Sequence, residues 1–182
     1  GDGERDRAVL ERGVADGGIT GATGHRAGEG AVLDGKRGRD FLRAVAALLA
    51  KRIQAGGRLH FAGVGKAGFV AARSAATLSS WGVPAQVLHY ADASHGDLGQ
   101  TGPKDAAILV SKSGASREIL DLAKALRARR IPLVAVTGAP RSPLARACGT
   151  VLAHPAILAT AEGGPWNLAP MASLLAEAAL LD

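Results

Sequence analysis

Short apolar runs punctuate the second two thirds of the chain, at residues 58–64, 85–89, 106–110, 132–136 and 150–153. Each is four to seven residues long and rich in Val, Leu, Ile and Ala, too short for most helices and suited to strands buried on both faces. Amphipathic stretches separate them, at 68–81, 117–130 and 142–147, with 168–181 after the last run. Strands alternating with helices predict βαβ units and a parallel sheet. In such sheets ligands collect beyond the carboxyl ends of the strands, so the loops at 63–68, 90–98, 111–116, 137–141 and 154–168 are where chemistry is expected. Before the first run, Phe41, Val45, Leu48, Leu49 and Ile53 recur at helical spacing and predict a helix over 40–53. A further short helix is expected over residues 7–14. Of the 25 glycines, 11 lie within residues 1–38, so the segment 13–38 reads as loop or weakly formed helix.

Composition narrows the class. A chain of 182 residues with 47% hydrophobic and 21% charged positions has the size and balance of one globular domain. No window approaches the ~18 consecutive apolar residues of a membrane span, and the charged start has no apolar run of the kind a signal peptide needs. The single cysteine, Cys148, excludes an internal disulfide framework and makes a reducing cytoplasm the expected compartment. The formal net charge of +6 is evenly spread, with 11 basic and 8 acidic residues in 1–60 and the same numbers in 61–182. With no basic stripe and 3% aromatics, the charge points away from nucleic acid and towards a small anionic partner.

Four loops carry candidate chemistry. Residues 63–68 read Gly-Val-Gly-Lys-Ala-Gly, a literal G-x-G-x-x-G after a strand. A dinucleotide reading, with Asp92 as the ribose acid, is opposed by the sixty residues before this strand. It is also opposed by Lys66, which sits where backbone should approach a pyrophosphate. Residues 111–116 read Ser-Lys-Ser-Gly-Ala-Ser between a strand and a helix. One helix cap needs one hydroxyl; three hydroxyls, a glycine and a helix N-terminus form a cradle for a phosphate monoester. Residues 92–99, Asp-Ala-Ser-His-Gly-Asp-Leu-Gly, place His95 on an active-edge loop, where it would titrate near neutrality. Residues 161–170 place Glu162 before the last helix, and Glu118 falls in the first turn of the helix after the serines. No histidine pairs with another ligand at metal-binding spacing, so no metal is expected.

Gly-Val-Gly-Lys, Ser-His-Gly-Asp-Leu-Gly, Ser-x-Ser-Gly and Glu-x-x-Pro-x-x-Leu-Ala-Pro, in this order, resemble the sugar isomerase (SIS) domain. Within that superfamily they are most similar to the arabinose-5-phosphate isomerases, over about residues 40–181. The resemblance implies a three-layer α/β/α sandwich, flavodoxin-like, with a five-stranded parallel sheet, and assembly as a homotetramer. The Gly-rich residues 1–38 match it only loosely, and the resemblance implies a single SIS domain over 39–182 without CBS domains. It also implies interconversion of D-ribulose 5-phosphate and D-arabinose 5-phosphate, towards lipopolysaccharide sugar synthesis, with no cofactor. Lys66, His95, Glu118 and Glu162 match the family's active-site positions. Ser111, Ser113 and Ser116, with Gly65 and Lys112 nearby, match its phosphate-binding positions. Ala67 stands where the family has serine, and Ala115 where it has an acidic residue. The sequence carries no His-Pro-Gly-Gly-type segment, so a non-catalytic sugar-phosphate-binding module is the alternative expectation.

Overall fold

The computed structural model describes residues 31–32 and 35–153. Its centre is a parallel sheet whose strands are β1 (Ala31–Val32), β2 (Leu59–Gly63), β3 (Ala85–Val87), β4 (Ala106–Val110), β5 (Leu133–Thr137) and β6 (Gly149–Ala153). The order across the sheet is β1-β6-β5-β4-β2-β3, and each neighbouring pair runs parallel. β2, β4 and β5 are buried at every position. That is why their sequences are nearly unbroken apolar runs rather than alternating ones. The five strands expected from the pattern are all present. A sixth, β1, is added at one edge within the stretch read as loop, where Ala31 pairs with Leu152 and Val32 with Ala153.

Helices cover both faces. α1 (Gly35–Gln54) and α2 (Lys66–Ser80) lie on one side, where Val45, Ala71 and Ala75 pack with Phe61, Ile108, Val110 and Val134. On the other lie α3 (Tyr90–Ser94), α4 (Arg117–Ala128) and α5 (Pro143–Cys148). There Ala93, Ile119, Leu122, Leu126 and Leu144 pack on Leu109, Ala135 and Val151. α4 shows the logic plainly: Ile119, Leu122, Ala123 and Leu126 are its buried residues and fall on one helical stripe. It ends in a Schellman arrangement, with Ile131 N–H bonded to Leu126 O and Arg130 N–H to Arg127 O. Arg130 occupies the left-handed position at φ 60°.

Two expectations change. The helix expected over 40–53 begins at Gly35, inside the Gly-rich segment. The 90–98 stretch, read as a loop, folds into α3 and a 3-10 turn over Asp97–Gln100, held partly by Ser94 Oγ donating to Ala91 O at 2.6 Å. These turns are too short for periodicity to reveal. The helices expected over 7–14 and 168–181 lie outside the described residues.

At the amino edge of the sheet, His60 in β2 is fully buried, and its Nε2 lies 2.9 Å from Asp105 Oδ2. Asp105 also accepts from the N–H groups of Gly102 and Arg58, each at 2.8 Å. Arg58 donates to Gln86 Oε1 at 2.7 Å, which turns the Gln86 amide nitrogen towards His60 Nδ1 at 3.3 Å. Nδ1 therefore accepts, and Nε2 carries the proton donated to Asp105. Burial pushes the Asp105 pKa up, but the hydrogen bonds from His60, Gly102 and Arg58 outweigh it and leave the carboxyl below its ordinary value.

Candidate functional site

Leaving β1 aside, the order β3-β2-β4-β5-β6 is the flavodoxin-like 2-1-3-4-5 arrangement, not the order of the dinucleotide-binding fold. Chain direction reverses its lateral march between β2 and β4, and the crevice opens beyond their carboxyl ends. Gly63 and Val110, the last residues of these strands, are register partners. The Gly-Val-Gly-Lys loop and the serine loop therefore leave the sheet side by side.

The glycines of the first loop have packing reasons. A Cβ on Gly63 would stand 2.6 Å from the backbone of Ala67, and one on Gly68 would stand 3.0 Å from Gly63 O. These two positions let helix and strand approach closely. Gly65, at φ 59° and ψ −126°, caps α2 in a conformation that only glycine adopts readily. Lys66 follows as the first residue of α2 and is exposed. A cation there opposes the helix dipole, and the first turn holds no acidic side chain to offset it. An anion bound in the crevice would reverse that penalty.

In the serine loop, Ser116 occupies the N-cap position of α4, yet its side chain makes no capping hydrogen bond. Its hydroxyl instead lies 3.5 Å from Ser111 Oγ. Ser111 is buried, and Gly114 N–H donates to its Oγ and to its carbonyl, each at 3.2 Å. Ser113 is exposed and its Oγ accepts from Ala115 N–H at 3.3 Å. Ser111 and Ser116 thus converge beside a helix N-terminus whose first N–H groups receive no cap from Ser116. This geometry suits an oxyanion better than ordinary capping. Lys112 is half-buried within the same turn.

The loop after β5 braces this cradle, a role not visible in the sequence motif. Thr137, fully buried, donates from Oγ1 to Lys112 O at 3.1 Å and accepts from Ala139 N–H at 3.1 Å. Gly138 N–H reaches the same Lys112 carbonyl at 3.0 Å, and Leu144 N–H reaches Gly114 O at 3.0 Å. Ser142 caps α5 through Ala145 N–H and touches the space where a Gly114 Cβ would be.

Glu118 lies exposed in the first turn of α4. It lines a cleft of about 360 Å³ shared with Tyr90, Ala91, Ser94 and Leu98. His95, exposed, ends α3 within that stretch, its N–H bonded to Asp92 O at 2.9 Å. The structure therefore sets Ser111, Lys112, Ser113 and Ser116 in one turn at the carboxyl end of β4, and Gly65 and Lys66 after the carboxyl end of its neighbour β2, while Glu118 lines a separate cleft with Ser94 and Leu98, residues that flank His95. Glu162 lies outside the described residues. Among the described residues, no group of three or more His, Cys, Asp or Glu side chains is placed to hold a metal ion, and no helix is long and apolar enough to cross a membrane.

The family described as SIS domain matches residues 53–182. The chain is 37% identical over 126 residues to arabinose 5-phosphate isomerase KdsD of Shigella flexneri, covering 69% of this chain and 38% of that protein. Among solved structures, a Bacteroides fragilis protein with a proposed assignment as a phosphosugar isomerase involved in capsule formation superposes with a TM-score of 0.64. It is 32% identical, over 78% of this chain and 76% of its own. An Escherichia coli CFT073 protein in complex with a sugar phosphate gives a TM-score of 0.57 at 26% identity, over 98% of this chain and 87% of its own. The chain spans less than half the length of the curated relatives it matches.

Proposed function

The chain belongs to the SIS-domain family, and from that premise we propose that it is a phosphosugar aldose–ketose isomerase interconverting D-ribulose 5-phosphate and D-arabinose 5-phosphate. The observation that carries this reading is the serine cradle at the switch point of the sheet, with Lys66 on the adjacent helix N-terminus. Ser111, Ser113 and Ser116, with the N–H groups opening α4, bind the phosphate. Gly65 and Lys112 flank it.

An aldose–ketose shift moves one proton between neighbouring carbons through an enediolate, so it calls for a base and an oxyanion donor but no cofactor. Glu162 or Glu118 takes the proton from C1 of the ketose and returns it to C2. Lys66 stabilises the enediolate oxygen, and His95 exchanges protons with the hydroxyls or assists ring opening. Glu118 is favoured by its place on the cleft beside the His95 segment. Assembly into a homotetramer and a cytoplasmic site of action belong to the same proposal.

Incubation with ribulose 5-phosphate in deuterated water tests it. Deuterium is expected at the transferred position, with loss of exchange in E118Q or E162Q identifying the base. Tight sugar-phosphate binding with no deuterium incorporation at high protein concentration would overturn the isomerase reading in favour of a non-catalytic binding module.

A further inference from the structure

The segment from the end of β5 to the start of α5 belongs to no catalytic motif, yet it holds the serine loop at two points. We propose that Thr137 is a positioning residue that fixes the shape of the phosphate cradle from the neighbouring strand. The inference rests on the phosphate-binding reading of residues 111–116.

Thr137 is the last residue of β5 and has no exposed surface, so it cannot touch a ligand in the crevice. Its hydroxyl uses both of its capacities on backbone, donating to Lys112 O and accepting from Ala139 N–H. The Lys112 carbonyl receives two donors, this hydroxyl and Gly138 N–H. That carbonyl belongs to the residue between Ser111 and Ser113, so the clamp grips the chain between two of the three cradle hydroxyls. A second grip, Leu144 N–H on Gly114 O, holds the other side of the turn. With its peptide planes tied at both places, the loop can aim the Ser111 and Ser116 hydroxyls at one point before any ligand arrives. Preorganisation of this kind strengthens binding because less freedom remains to be lost. Valine at 137 keeps the shape and removes the hydroxyl; serine keeps the hydroxyl and removes a methyl.

Binding of inorganic phosphate and of ribulose 5-phosphate should be measured by calorimetry for wild type, T137V and T137S, with turnover followed in parallel. T137V is expected to weaken both ligands about tenfold, and to raise KM by a similar factor while leaving kcat within about twofold. T137S is expected to restore wild-type affinity. Should T137V fail to fold, hydrogen exchange in the wild type decides. Saturating phosphate should slow exchange at Gly138 and Ala139, because a ligand that binds the preformed loop suppresses the local opening that releases the clamp.

T137V binding as well as wild type, T137S binding as poorly as T137V, or amides at 138 and 139 indifferent to phosphate would each overturn the inference. A wild type that binds neither ligand would overturn the phosphate reading of the serine loop itself, and this inference with it.

Discussion

Replacing Gly114 with alanine should injure the cradle through one identifiable collision. Gly114 sits at φ 59°, and a Cβ there would lie 2.0 Å from Ser142 Oγ, 2.5 Å from Ser142 Cβ and 3.2 Å from Thr137 Oγ1. The left-handed backbone alone costs an alanine about 1–2 kcal/mol. The overlap adds about 1–3 kcal/mol, the range for overpacking a tight interior. Rotating Ser142 moves Oγ away but leaves its Cβ in place and gives up the bond that Oγ accepts from Ala145 N–H at 3.2 Å. G114A should therefore lose about 2–5 kcal/mol. S142G removes both colliding atoms and, as a glycine at an N-cap, should lose only a few tenths of a kcal/mol. In the double variant the collision vanishes and the backbone term remains. The pair should thus be less destabilised than the sum of the singles by about 1–3 kcal/mol. Urea unfolding of the four proteins, compared at equal m-values, measures this coupling. Phosphate affinity should follow the same pattern, poor in G114A and largely regained in the pair. Additivity within about 0.5 kcal/mol would refute the reasoning, since distant, independent sites behave that way.

Arg130 holds the left-handed position of the Schellman turn after α4 at φ 60°. R130G should therefore raise the unfolding free energy by about 0.5–1 kcal/mol, read as a higher urea midpoint. Asp105, with its carboxyl below the ordinary 3.8, adds stability above that pH and loses it as pH falls through its lower folded value. D105N should be less stable at neutral pH by about 1–3 kcal/mol and should show a flatter acid limb in unfolding midpoints as pH falls through and below 3.8. An acid limb as steep as wild type would count against the carboxylate's role. Burial pushes the Cys148 thiol up to about 12 despite the opposing charge of Arg127. Iodoacetamide at mildly alkaline pH should leave the folded protein unlabelled and modify Cys148 only once urea unfolds it.

Much of this was legible from the sequence for a physical reason. β2, β4 and β5 are covered on both faces, so each wrote itself as an unbroken apolar run. α4 has one wet side, so Ile119, Leu122 and Leu126 recur at helical spacing. The serine loop stood out because its hydroxyls exceed what capping requires. What stayed hidden was either too short or too distant. β1 has two residues, fewer than any periodicity can register. α3 and the following 3-10 turn are single turns fixed by local bonds. The clamp from Thr137 to Lys112 spans 25 residues of sequence, and no local pattern connects them. The pairing of His60 with Asp105 is likewise a tertiary fact: each residue alone reads as an ordinary polar interruption.

That pairing bears on alignment. Strands that are apolar on both faces are poor at telling one register from the next, because a slip still buries hydrophobic side chains. Sliding β4 by one residue past β2 would separate Asp105 from His60 and from the N–H group of Arg58, leaving a buried carboxylate with only the Gly102 N–H of its own turn. An uncompensated buried charge is among the more expensive defects a fold can carry. The polar knot at the amino edge thus acts as an index mark for β2 against β4. Counting along the strands from that mark brings Gly63 level with Val110, and with them the lysine and serine loops at the far edge. A bond one strand-length from the crevice decides whether its two halves face each other.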